Sequence, residues 1–331
     1  MKKMRGNLLD ISKLKVVFYT YRGVIKALNG VELWMNHGER LGIVGETGCG
    51  KSVTALSIMG LIEQPGEIVE GNIIFEDKLL TSMGEDKLND IRGREIAMIF
   101  QEPVAALNPV MKVGFQIAES IARSKKKNID KEVYSEVRRM LEIAGLDWKR
   151  TINLYPHELS GGMAQRVMIA MALSSNPKLL IADEPTSALD VTIQAQILEL
   201  LDDLVKKFGN AVVLITHDMG VAAEFCDKMA VMYAGNMVEY ASTTNLFRNP
   251  FHPYTKGLLR AVPKIGRTDE LQSIKGIVPD LANPPTGCRF HPRCKYAMDI
   301  CEKKLPPLME IKPGHYVACY LYSKEGTKSA N

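Results

Sequence analysis

The sequence predicts an α/β protein built on a mostly parallel sheet, and three observations predict it. Short apolar runs alternate with helical stretches between Leu41 and Thr216, the pattern of strands joined by right-handed helical crossovers. A glycine-rich loop, Gly45-Glu46-Thr47-Gly48-Cys49-Gly50-Lys51-Ser52, stands between one such run and a helical segment. From about Glu102 to Pro177 the pattern turns helical and charged, which marks an insertion between two strands.

The elements follow in order. Lys15–Tyr19 and Val31–Met35 read as strands by alternation and β-branching. Leu41–Val44 is a continuous apolar run, the mark of a strand buried on both faces. Val53 to Leu61 has helical periodicity, and Gly71–Phe75 and Ile96–Phe100 are further strands. Lys125-Lys126-Lys127-Asn128 reads as a solvated break. Leu179–Glu184 is another buried strand, Val191–Phe208 an amphipathic helix, and Ala211–Thr216 a strand again. After Phe251 the periodicity fades under ten prolines between Pro250 and Pro313. Such a segment has little core of its own and needs an external staple. The expected division is residues 1–250, with the insertion at about 102–177, and a small irregular extension at 251–331.

Composition bounds the function. The chain has 331 residues and a net charge of +4, too small to argue for nucleic acid. No apolar run approaches the roughly 18 residues of a membrane helix. The basic start Met1–Arg5 is not followed by a signal-peptide pattern. The expectation is a cytoplasmic protein that touches a membrane through partners. Residues 251–331 hold 13 Lys and Arg against 7 Asp and Glu, while the rest holds 29 against 31. The basic tail also carries four of the six cysteines.

The glycine loop is a phosphate cradle. Its glycines let backbone N–H groups converge on phosphate oxygens, and the helix behind it, from Lys51, Ser52 and Val53, adds its dipole. Lys51 reaches the β- and γ-phosphates and the Ser52 hydroxyl can take one Mg²⁺ position. Cys49 is a small residue at a variable position, and its thiol beside a phosphate site is a candidate for alkylation. Asp183 ends an apolar strand, where it would orient Mg²⁺ through water; Glu184 follows, where a carboxylate can polarise the attacking water. His217 ends the next buried strand and Gln101 follows Ile96–Phe100. Leu159-Ser160-Gly161-Gly162-Met163-Ala164-Gln165 is a second glycine turn opening a helix. One nucleotide needs one cradle, so two imply a nucleotide shared across two chains.

This combination resembles the ATP-binding subunits of ABC transporters over roughly residues 15–250. Gly45–Ser52 looks like Walker A, Gln101 the Q-loop, Leu159–Met163 the family signature, and Leu180–Glu184 Walker B with its catalytic glutamate. Ser187-Ala188-Leu189-Asp190 matches the D-loop and His217 the switch histidine. The resemblance implies a P-loop NTPase (RecA-like) core with an antiparallel β subdomain and a helical insertion. It implies Glu184, His217 and Gln101 as catalytic residues, with Gln101 and Ser52 on Mg²⁺ and Asp183 nearby. It also implies that Ser160, Gly161 and Gly162 cap the γ-phosphate bound to the opposite chain. An aromatic ring upstream of Walker A stacks on adenine in this family; of Phe18, Tyr19 and Tyr21, Tyr19 is the choice, with Tyr21 next.

The closer resemblance is to the oligopeptide, dipeptide and nickel importer branch. Leu107-Asn108-Pro109, Tyr155-Pro156-His157-Glu158 and Asn249-Pro250-Phe251-His252-Pro253-Tyr254-Thr255 carry it, with Gly287-Cys288-Arg289-Phe290-His291-Pro292-Arg293-Cys294 and on to Cys301 and Cys319. It implies a second, non-identical ATPase subunit, two transmembrane permease subunits, an external substrate-binding protein, and a peripheral place on the cytoplasmic face of the membrane. Dipeptide, oligopeptide and nickel remain open as cargo, and a soluble non-transport ABC ATPase is the rival class. The four tail cysteines, with five, six and seventeen residues between neighbours, read as a four-thiolate metal site. Their spacing excludes neither zinc nor an iron–sulfur cluster; the resemblance points to a 4Fe–4S cluster, with zinc the alternative. Arg289, Arg293 and Lys295 could offset its charge. The cluster is expected to staple the tail into a small domain that unfolds without it while nucleotide binding stays intact, with redox sensing the rival role.

Overall fold

The computed structural model describes residues 6–21, 23–187, 189–261 and 274–323. Met1–Arg5, Ala188 of the D-loop string and Pro263 of the proline series lie outside them. The chain groups into two compact units, one of residues 1–36, 40–82 and 216–331, the other of residues 37–39 and 83–215.

The first unit holds two sheets. Asn7–Thr20 and Gly23–Asn36 form a long antiparallel hairpin, Gly66–Phe75 pairs antiparallel on its other side, and Lys78–Leu79 adds an edge. This is the expected antiparallel subdomain. Its strands are longer than alternation alone indicates, because polar residues such as Asp10, Lys13 and Lys15 line partly exposed positions while Leu9, Ile11, Leu14 and Val16 are buried. In the other sheet Arg40–Val44 runs parallel to Lys228–Tyr233, which pairs antiparallel with Asn236–Ser242.

The tail joins that second sheet. His315–Val317 pairs with Asn236–Ser242, and Met309–Lys312 pairs with His315–Val317. Tyr233, Tyr254 and Phe290 pack together, with Val231, Val238 and Leu246 in the same core. The tail therefore borrows a core, and it does not stand as a separate domain beginning at 251. A helix at Pro253–Ala261 also interrupts the stretch read as irregular; proline at its first position removes only an N–H that the helix would leave unpaired.

The second unit is a parallel three-stranded arrangement, with Leu179–Asp183 between Ile96–Ile99 and Ala211–Thr216. The helical insertion lies between Ile96–Ile99 and Leu179–Asp183, as the sequence indicates. Val113–Lys125, Lys131–Ile143 and Gly161–Leu173 pack on one another through fully buried Ile117, Val137, Leu141 and Val167. Truncating Ile117 or Leu141 to Ala costs about 2–5 kcal/mol. Asp130 and Asp190 cap their helices by accepting from Val133 N and Ile193 N, each cap being worth about 1 kcal/mol. Among the described residues no helix is long and apolar enough to cross a membrane.

Candidate nucleotide site

The phosphate loop leaves the Arg40–Val44 strand at Gly45 and ends at the Lys51–Met59 helix. Gly45 and Gly50 have φ of +155° and +105°; a Cβ would meet Met232 O at 2.2 Å in the first and Leu28 Cδ2 at 2.7 Å in the second. Neither position admits another residue. Gly50 is also the N-cap and places no side chain over the first turn, the end of a helix that favours a phosphate. The buried Lys51 ammonium donates to the loop's own carbonyls, Gly45 O at 2.9 Å and Glu46 O at 3.2 Å. Thr47 and Gly48 are exposed, and Ser52 and Val53 are half-buried in the first helical turn.

Glu46 and Cys49 do not turn toward a ligand. The Glu46 carboxylate is paired with Arg293 and its N–H donates to Tyr254 Oη at 2.9 Å, so this residue anchors the loop rather than cradling phosphate. Cys49 is 1% exposed and burial pushes its thiol up to about 11. A buried, protonated thiol is inert, which corrects its reading as a candidate for alkylation.

In the second unit Asp183 is buried at the end of its strand and Glu184 follows with φ +44°. That left-handed conformation is costly for a residue with a Cβ. It is held by the hydrogen bond from Glu184 N to Ile215 O, 2.9 Å. Gln101 Nε2 donates to Glu184 Oε2 at 3.3 Å. Ser160 caps the Gly161–Leu173 helix by accepting from Met163 N at 3.3 Å, and Ser160 and Gly161 are exposed. A Cβ on Gly162 would sit 3.1 Å from Ile193 Cγ2, so glycine here lets the Val191–Phe208 helix pack close. His217 is exposed in the first unit, just beyond Thr216 and before the Met219–Phe225 helix. Tyr19 is half exposed on its strand and Tyr21 more so, whereas the Phe18 ring packs over Gly66.

Several contacts around the site escaped the sequence reading. Gln165, quoted only as the end of a string, is buried with Nε2 unpartnered and lines a cleft of about 250 Å³ with Gln101, Val104 and Gly161. Tyr254 and Arg293 stand in strings that the sequence reading quoted, but nothing in the sequence pairs them with Glu46.

The tail cysteines lie close enough to raise one another's pKa values. Cys319 feels Cys288, Cys294 and Cys301. Burial dominates, pushing Cys288 up to about 11, Cys319 up to about 12, and Cys294 upward. Cys288 N donates to Cys301 O at 2.7 Å and Tyr296 N to Cys294 Sγ at 3.4 Å. Among the described residues no three of His, Cys, Asp or Glu are gathered tightly enough to hold a single metal ion. The expectation that Arg289 and Arg293 neutralise thiolates is corrected: Arg289 donates to Ala234 O and Lys26 O, and Arg293 is committed to Glu46.

A strand, glycine loop and helix carrying Lys51, together with a strand ending in Asp183-Glu184 and an exposed serine–glycine turn, define a P-loop ATPase of the ATP-binding cassette class. The comparisons agree. The ABC transporter family matches residues 28–187, and the oligopeptide/dipeptide transporter C-terminal region matches residues 238–301. Among solved structures, a dimeric post-hydrolysis state of the ATP-binding cassette MJ0796 bound to ADP and Pi is 29% identical with a TM-score of 0.64, covering 71% of this chain and 98% of that one. Among curated relatives, the oligopeptide transport ATP-binding protein AppD of Bacillus subtilis is 50% identical over 98% of this chain and 100% of its own length. The dipeptide transport ATP-binding protein DppD of Bacillus subtilis is 46% identical over 95% of this chain and 94% of its own. The chain belongs to the family of ATP-binding subunits of oligopeptide/dipeptide ABC transporters.

Proposed function

We propose that the chain hydrolyses ATP in a sandwich with a second, non-identical ATPase subunit and so powers import of dipeptides or oligopeptides through two membrane permease subunits. The cargo is delivered by an external binding protein, and the chain sits peripherally on the cytoplasmic face. The observation that carries the reading is the Gln101–Glu184 contact at the end of a buried strand. It supports the reading because the amide orients the carboxylate, and an oriented carboxylate can polarise a water. Glu184 accepts a hydrogen bond from the attacking water, whose oxygen bonds to the γ-phosphorus as the β–γ bridging P–O bond breaks; the electron pair leaves on ADP and the water's proton passes to the released phosphate. Lys51 releases Gly45 O and Glu46 O to reach the phosphates. His217 is a second contact for the γ-phosphate and Tyr19 the platform for adenine. Ser52 and Gln101, with Asp183 through water, would hold Mg²⁺, which supplies charge neutralisation on the phosphates. Ser160, Gly161 and Gly162 would cap the γ-phosphate on the partner subunit, which fits the exposure of Ser160 and Gly161.

Cys288, Cys294, Cys301 and Cys319 would hold a 4Fe–4S cluster. What supports this is four thiols within one another's electrostatic reach. The cluster would lock the tail, and the spectrum of protein purified without oxygen separates it from zinc. The function itself is tested by reconstitution with the permease subunits and a binding protein. ATP-dependent uptake of labelled peptide supports it; uptake of nickel alone, or ATPase activity that never associates with a permease, overturns it.

A further inference from the structure

Two arginines of one short tail segment, Cys288-Arg289-Phe290-His291-Pro292-Arg293-Cys294, grip the phosphate loop from behind. Arg293 makes a two-pronged ion pair with Glu46: Nη1 donates to Oε2 at 2.7 Å and Nη2 to Oε1 at 3.0 Å. Its side chain is only 6% exposed. Its remaining donors are also used, Nε on Lys275 O at 3.1 Å, Nη2 on Ile274 O at 3.3 Å and Nη1 on Tyr233 Oη at 3.3 Å. Four residues earlier, Arg289 donates to Ala234 O. The next residue, Gly235, donates its N–H to Cys49 O at 2.8 Å. Between the arginines, Phe290 packs on Tyr254, whose hydroxyl takes the Glu46 N–H. The first and second cysteines of the tail thus each sit beside an arginine that ends, directly or through one turn, on Walker A.

We propose that Arg293 is a positioning residue of the nucleotide site. Through Glu46 it fixes the start of the phosphate loop, so nucleotide affinity depends on the fold of the tail around its cysteines. The argument is geometric. A bidentate arginine–carboxylate pair that is largely buried defines direction as well as distance. Glu46 is the second residue of the loop whose backbone must converge on phosphate, and a loop fixed in advance loses less freedom on binding. Arg293 also satisfies the tail carbonyls of Ile274 and Lys275, so it ties the fold of the tail to the loop in one side chain. The proposal rests on the ATP-binding reading above, and the experiment keeps the two apart.

The test compares native full-length protein with Arg293→Lys, Arg293→Met, Glu46→Gln and the Glu46→Gln/Arg293→Met double variant. A fluorescent ATP analogue is titrated without turnover, and kcat and KM are measured in the assembled transporter. Removing either partner is expected to weaken nucleotide binding about tenfold and raise KM while kcat at saturation holds. Arg293→Lys should recover part of the loss, and the double variant should be no worse than the worse single one. Glu46→Gln changes no residue of the tail and keeps a hydrogen-bonding side chain opposite Arg293, so it tests the clamp even if Arg293→Met fails to fold. Variants that bind nucleotide like native protein, or a double variant whose losses simply add, overturn the proposal. Native protein that binds no nucleotide sinks the ATPase reading instead.

Discussion

Glu184 and Gln101, 83 residues apart in the chain, meet as acceptor and donor at 3.3 Å while Glu184 is held in a left-handed backbone conformation. A non-glycine residue there costs about 1–3 kcal/mol, and the neighbouring strand sustains it through Ile215 O. The carboxylate is therefore aimed by both backbone and side chain. Gln101→Ala should lower kcat by roughly 10- to 100-fold, a fraction of what general acid–base catalysis supplies, with a smaller change in nucleotide affinity. Steady-state ATPase assays on the assembled complex check this; unchanged kcat with lost affinity would assign Gln101 to binding alone.

Cys49 should resist alkylation in the folded protein. Its thiol is buried and pushed up to about 11, so little thiolate exists at neutral pH. Mass spectrometry after maleimide treatment at pH 7 should find Cys49 unmodified, and rapid labelling that ATP blocks would contradict it.

Acid should loosen the first unit through His252. Its ring is buried with Nδ1 accepting from Tyr254 N at 3.1 Å, and burial lowers its pKa to about 4 despite the nearby Glu239. The unfolded chain binds a proton below about 6.5 that the folded chain refuses. The stability tied to His252 is thus complete above pH 6.5 and is lost as pH falls toward 4. Thermal melts across that range should show a falling Tm that flattens in His252→Gln. Because Tyr254 also holds Glu46, nucleotide affinity should weaken over the same range.

Ser160→Ala should cost the isolated chain only about 1 kcal/mol, the worth of a helix cap. Turnover of the assembled ATPase pair should fall far more, since the hydroxyl would also meet the partner's nucleotide. A melt with little change beside a large loss of ATPase activity is the expected pair of results.

Cys294→Ser should not leave nucleotide binding intact. The sequence suggested a tail that could unfold on its own. Yet Arg293, next to Cys294, reaches Glu46, and His315–Val317 completes the sheet edge on Asn236–Ser242. Weaker ATP-analogue binding alongside tail disorder is expected; disorder with native affinity would restore the separable staple.

What was legible in the sequence was local. Gly45–Ser52 between a buried strand and a helix, Asp183-Glu184 at a strand end, and the Val191–Phe208 helix each announce themselves within about twenty residues. Contacts across the chain did not. Glu46 and Arg293 lie 247 residues apart, and each is an ordinary polar residue until the fold joins them. The strands at Met309–Lys312 and His315–Val317 are four and three residues long, too short for alternation to register. The proline-rich tail concealed them further, because its order comes from a sheet and an aromatic core built by residues before it.

The central claim is a triphosphate bound between two ATPase subunits. Its most direct test is light scattering of Glu184→Gln mixed with its partner ATPase subunit, with and without ATP. A stable complex that forms only with ATP, and that Ser160→Arg abolishes, is the predicted result. No ATP-dependent complex, or one indifferent to Ser160, would contradict the account.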